Sequence, residues 1–183
     1  GYALSFDSQK LAATASLSWA SVENLAYVDD SAAPLTLRNS NEKGAVTTFD
    51  ILAGYQITKG LTINGGFEMF TYDDEYKATF GVAPIEQRTR FILDYDNDPW
   101  EWSLTLTHIG SRDLSDYGYG GRYNVQDTGG NLSEAKGTDA PAFFTVDTRI
   151  SHQLNKMFNV YLGANNLLGY NQAEDHFHGD LFR

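Results

Sequence analysis

The sequence predicts an all-β chain: an antiparallel up-and-down transmembrane β-barrel, with about eight strands present here. Three observations carry this. Apolar and polar residues alternate in eight segments, those segments are about ten residues long, and the connections between them alternate short and long. Composition agrees, since 14% of the 183 residues are aromatic and 17 are Gly, a bias toward strands and turns.

The first pair places Tyr2, Leu4 and Phe6 on one parity, turns at Ser8-Gln9-Lys10, and continues with Leu11, Ala13, Ala15, Leu17 and Trp19. The second is the most regular. From Ala45 to Thr58, Phe49, Ile51, Ala53, Tyr55 and Ile57 oppose Thr48, Asp50, Gly54 and Gln56, with Leu52 the exception; after Thr58-Lys59-Gly60, Leu61, Ile63, Phe67 and Met69 oppose Thr62, Asn64 and Glu68. In the third, Thr89, Phe91, Leu93 and Tyr95 lead through Asp96-Asn97-Asp98-Pro99 to Trp100, Trp102, Leu104 and Leu106. In the fourth, Phe144, Val146, Thr148 and Ile150 lead through Leu154-Asn155-Lys156 to Phe158, Val160, Leu162 and Ala164.

Alternation alone also fits a soluble β-sandwich, whose greasy face is its core. Connection lengths separate the two readings. Turns within pairs are short, whereas those between pairs run from Ser21 to Gly44, Asp73 to Gln87, Ser111 to Ala142 and Leu167 onward. Outer-membrane barrels have short periplasmic turns and long outer loops. Trp19, Tyr55, Tyr95, Trp100, Trp102, Phe144, Phe158 and Tyr170 lie toward strand ends, where a headgroup-level girdle would be. Asp50, Glu68, Arg88, Arg90, Asp94, Glu101, Asp147 and Arg149 fall on the opposite parity and are expected to face a wet lumen. His152 has the lipid parity beside a turn, as suits an imidazole at the water interface.

No apolar run approaches the roughly 20 residues of a membrane helix. The net charge of −11 disfavours nucleic acid as a partner, and the absence of Cys removes disulfide and thiolate chemistry. With short turns periplasmic, both chain ends fall on the outer side, so the chain is expected to be part of a larger barrel.

The segments Phe143-Phe144-Thr145-Val146-Asp147-Thr148-Arg149-Ile150 and Asn159 through Tyr170, above all Asn165-Asn166-Leu167-Leu168, resemble the closing region of TonB-dependent outer-membrane receptors. Leu168 and Gly169 stand where that family's corner has Phe and Asp. Asn39 to Asp50, and Arg88 to Ile109 with Tyr117 through Asn124, also resemble its late strands and an outer loop. The resemblance implies a barrel of about 22 strands in the bacterial outer membrane. It implies import of a scarce nutrient such as an iron chelate, haem, cobalamin or an oligosaccharide. The TonB complex would act through a plug domain not in this chain, and a surface lipoprotein is a further conceivable partner. The alternatives are a porin or adhesin barrel and a soluble β-sandwich binding module.

Ligand contact is expected at Arg112, Asp113, Tyr117, Tyr119, Arg122 and Tyr123, which combine flat aromatic faces with guanidinium forks on a Gly-rich loop, and more broadly on the loops 72–87 and 112–124. No cofactor and no metal is expected. His176 and His178, at a spacing of two with carboxylates nearby, have the donors for a divalent metal but are expected to be solvated, and the acidic groups Asp29-Asp30 and Asp73-Asp74-Glu75 lack EF-hand spacing. His108, Ser111 and Asp113 lie close in sequence without a nucleophile elbow, so no enzymatic activity is expected.

Overall fold

The computed structural model describes residues 1–24, 26–29, 36–39, 43–80, 85–113 and 139–171. Strands dominate: β1 (Tyr2–Asp7), β2 (Leu11–Glu23), β3 (Ala26–Asp29), β4 (Thr36–Asn39), β5 (Lys43–Thr58) and β6 (Leu61–Tyr72), then the helix α1 (Asp74–Phe80). After it come β7 (Gln87–Asn97), β8 (Trp100–Ile109), β9 (Arg112–Asp113), β10 (Asp139–Ala140), β11 (Phe143–Gln153) and β12 (Asn159–Ala164). Eight of the strands form one sheet in the order β1-β2-β5-β6-β7-β8-β11-β12, each antiparallel to its chain neighbour in the sheet. The sheet is open, with β1 and β12 at its edges.

Register carries the predicted parity across the whole sheet. One transverse row runs Leu11, Tyr55, Ile63, Leu93, Leu104, Thr148 and Ala164; the next runs Phe6, Ala13, Ala53, Gly65, Phe91, Leu106 and Val146. Because strand side chains alternate between faces, these rows give one continuous apolar surface. That surface is uncovered. Among the described residues, Ile109 and Ala140 are the only buried hydrophobic side chains, whereas Ile51, Tyr55, Phe91, Phe144, Ile150 and Val160 are all exposed. A sandwich core would bring Phe49, Leu93, Leu104 and Val160 together; instead Leu93 faces Leu104, Phe49 faces Met69 and Val160 faces His152, spread over one side of one layer.

The few polar groups on that apolar face are internally satisfied or sit at its rims. The Trp102 indole N–H donates to Thr148 Oγ1 at 3.0 Å, and the Thr148 hydroxyl donates to the Ser103 carbonyl at 2.9 Å. His152 stacks on Trp100 with ring centroids 4.1 Å apart at the short-turn end, where the sequence placed it. His108 stacks on Phe144 at 4.4 Å near the other end. No helix among the described residues is long and apolar enough to cross a membrane, which says nothing of strands.

The long connections hold more structure than alternation foretold. β3 and β4 form a two-stranded ribbon, β9 and β10 another, and α1 follows β6. Asp73 explains the helix. Its carboxylate accepts from the Tyr76 amide at 2.8 Å, an N-cap bond, and its other oxygen accepts from the Ala45 amide of β5 at 2.8 Å. Asp74 and Glu75 in the first turn and Lys77 in the last complement the helix dipole. The acidic run Asp73-Asp74-Glu75 is therefore helix-starting chemistry.

Candidate functional site

The face opposite the apolar one gathers the charges. Its rows run Ser16, Asp50, Glu68, Arg88, Ile109 and Phe143; then Thr14, Leu52, Gly66, Arg90, Thr107 and Thr145; then Ala12, Gly54, Asn64, Ile92, Thr105 and Asp147. All eight charges expected on this face are on it, and most of them have a polar or aromatic partner. Arg88 grips both oxygens of Glu68, one through Nε and the other through Nη2 at 2.8 Å, with both side chains about two-thirds shielded. A bidentate fork of this kind is stronger and more oriented than a single-point pair. Ser16 donates to Asp50, Asn64 to Asp94 at 3.2 Å and Ser151 to Glu101 at 2.9 Å. Arg149 lies over the Tyr161 ring, 4.8 Å from its centroid.

Two hollows open on this face. One, of about 550 Å³, lies over Ala12, Gly54 and Gly66, with the Leu52 and Asn64 side chains reaching across the two glycines and Glu68, Arg88 and Arg90 among its walls. A smaller one of about 230 Å³, toward the short-turn end, lies between Asp94, Asp96, Glu101 and Arg149. The larger hollow was not foreseen from sequence. Its signal was there in Gly54, Gly65 and Gly66, which leave the middle of β5 and β6 without bulk, but only register shows that the two glycine sites and Arg90 are neighbours.

At the end bearing the long connections, the corner after β12 takes a defined form. Asn166 has φ 52° and Gly169 φ 65°, left-handed conformations that Asn and Gly adopt most readily. The Asn166 side chain donates to the Tyr170 carbonyl at 2.9 Å and accepts from the Tyr170 amide at 3.1 Å, while its own amide donates to Asp147 at 2.8 Å. Tyr170 is thereby folded back to stack on Phe143, centroids 4.1 Å apart and planes at 4°. β12 ends at Ala164, so Tyr170 caps the wall from a corner rather than closing a strand. Nearby, Tyr72 packs on Tyr76 at 4.9 Å and donates to the Ile85 carbonyl at 3.0 Å, and burial pushes the Tyr76 hydroxyl above the ordinary tyrosine range.

Of the expected ligand contacts, Arg112 and Asp113 form β9, paired with Ala140 and Asp139 of β10 just beyond the ends of β8 and β11. Arg112 is buried, 4% exposed, and Asp113 is exposed. Tyr117, Tyr119, Arg122 and Tyr123 lie outside the described residues, as do His176 and His178. Among the described residues, no cluster of three or more His, Asp or Glu side chains has metal-holding geometry.

No family model matches the chain, and a search of curated proteins finds no match. Solved structures do. The copper transporter OprC superposes with a TM-score of 0.65 at 14% identity over 91% of this chain and 25% of its own. The siderophore receptor PirA from Acinetobacter baumannii gives 0.63 at 13% identity, over 90% of this chain and 26% of its own. The FrpB iron transporter from Neisseria meningitidis, F3-3 variant, gives 0.61 at 17% identity, over 90% and 24%. The fold is that of a TonB-dependent receptor's barrel wall. This chain spans about a quarter of the length of those structures. On that wall the apolar and polar parities of the sequence fall on opposite faces of one layer, as expected.

Proposed function

We propose that this chain is part of the barrel of an outer-membrane receptor that imports a scarce nutrient with energy delivered through TonB. The observation that carries the reading is the uncovered apolar face backed by a polar face that gathers the charges, in the fold shared with transporters of copper and iron and a siderophore receptor. The barrel frames the pathway, lipid of the outer membrane covers the apolar face, and a plug carries the contact with TonB. The outer loop with Arg112, Asp113, Tyr117, Tyr119, Arg122 and Tyr123 supplies first contact with the nutrient, whose aromatic or anionic groups suit Tyr faces and Arg forks. Within this reading Arg112, being buried, braces the root of the loop, and the contacts fall to the residues beyond it.

The test is uptake. The whole receptor, expressed in a Gram-negative host, should accumulate radiolabelled ferric chelate, haem or cobalamin, and accumulation should stop in a host lacking TonB. Arg122→Ala and Tyr119→Ala should each lower it. Flux that persists without TonB and follows the gradient alone would favour a porin instead.

A further inference from the structure

At the short-turn end of the sheet two lysines stand on neighbouring turns with no acid to neutralise them. Three of the chain's six lysines, Lys10, Lys59 and Lys156, fall in short turns, and none of its seven arginines does. Lys10 and Lys59 belong to adjoining hairpins: Leu11 pairs with Tyr55, and the Gln56 amide donates to the Lys10 carbonyl at 2.8 Å. Lys59 follows three residues later, which puts the two Cα positions roughly 11 Å apart at ordinary strand spacings. Both side chains are exposed, and neither ammonium forms an ion pair or hydrogen bond among the described residues. The acids of the flanking strands, Asp7 and Asp96, belong to the polar face, opposite Ala12 and Glu101. The other face is apolar and open at this end, where Leu11, Tyr55 and Ile57 are exposed. Among the described residues the Tyr55 hydroxyl has no hydrogen-bond partner.

We propose that Lys10 and Lys59 together bind the phosphate of a phospholipid whose headgroup carries a net negative charge, its chains lying over Leu11, Tyr55 and Ile57. A lysine ammonium is a compact charge on a flexible four-carbon stem, so two of them can close on one phosphate from neighbouring turns. Both lie in turns, free of the alternation that fixes strand side chains to one face. A zwitterionic headgroup would set its own cation against the two lysines, whereas an anionic one meets only attraction. A soluble anion would have no use for the apolar surface beside them, and the Tyr55 hydroxyl is placed to donate to a lipid ester. The inference rests on the apolar face meeting lipid and adds which lipid meets it at this rim.

Contact quenching in vesicles tests it. Ile57→Trp in the whole receptor sets a fluorophore beside both lysines, at a level where tryptophan is favoured, and its emission is the difference from the receptor without that substitution. Brominated phosphatidylglycerol should quench this emission at a lower mole fraction than brominated phosphatidylcholine does. Lys10→Gln and Lys59→Gln should each reduce that preference about fivefold, and the corresponding Lys→Arg variants should keep it. Lys156→Gln should leave it unchanged, because β7 and β8 separate β6 from β11 by roughly 14 Å, beyond the screening length. Equal quenching by the two lipids overturns the proposal, as does a preference that survives loss of both lysines or falls equally in Lys156→Gln. Displacement by inorganic phosphate at constant ionic strength also overturns it, by making the occupant a soluble ion. Quenching by neither lipid would sink the lipid-facing assignment itself, and the transport reading with it, whereas quenching without headgroup preference leaves that reading standing.

Discussion

Replacing Leu104 by Arg tests which face meets hydrocarbon. Leu104 is four residues along β8 from Trp100 at the short-turn rim. At a rise of about 3.4 Å per residue and a tilt of about 40°, it lies roughly 10 Å above that rim. The apolar band of such a barrel is about 25 Å tall, so Leu104 sits near the midplane, where an arginine costs about 2–4 kcal/mol. That corresponds to a loss of roughly 30- to 800-fold in the folding equilibrium. Thr105 is the internal control, at the same depth on the opposite face between Ile92 and Asp147. Thr105→Arg should stay within about 0.5 kcal/mol of wild type, as solvated substitutions do. The assay is denaturant titration of the whole receptor into lipid vesicles, followed by tryptophan emission. If Thr105→Arg were as damaging as Leu104→Arg, or more so, the assignment of faces would be inverted and the lumen wall would have to be abandoned.

The Glu68–Arg88 grip should show a coupling of about 1 kcal/mol in a double-mutant cycle of Glu68→Gln and Arg88→Gln, its two-point geometry lifting it to the upper range for partly exposed pairs; additive single mutants would show the pair to be idle. Asp73→Ala should cost about 1 kcal/mol by removing the N-cap of α1 and its tie to Ala45, with faster amide exchange at Tyr76 and Lys77, whereas Asp73→Asn should keep most of the protection. Unaltered exchange in Asp73→Ala would assign the helix to packing instead. At the corner, Asn166→Ala forces a side chain other than Asn or Gly into φ 52° and removes both bonds to Tyr170, so it should be more destabilising than Asn166→Gly by about 1 kcal/mol. Equal melting temperatures for the two variants would mean that the backbone conformation is not the constraint.

The eight main strands were legible because a period of two is local information, readable residue by residue. Leu52 was marked as breaking the pattern, and it stands on the lumen face beside Gly66, where a large side chain fills space the glycine leaves. What could not be read was anything needing two distant segments in register. Glu68 and Arg88 were each assigned to the lumen from their own parity, yet their grip depends on how β6 and β7 are aligned. The same holds for the hollow between Gly54, Gly66 and Arg90. Asp73 illustrates a different miss: acidic residues in a row fit a solvated loop equally well until Tyr76 and Ala45 appear on its two oxygens. The Asn165-Asn166-Leu167-Leu168 corner was recognisable as a motif, but its effect, bringing Tyr170 flat against Phe143, was not.

The Trp102–Thr148–Ser103 relay carries a mechanical consequence. It stitches β8 to β11 through side chains, in parallel with the backbone ladder. Sliding one of these two strands along the other would sever both links together and leave an indole N–H and a hydroxyl without their partners. The seam therefore resists shear in either direction, and a threonine that looks out of place on a greasy surface acts as its latch.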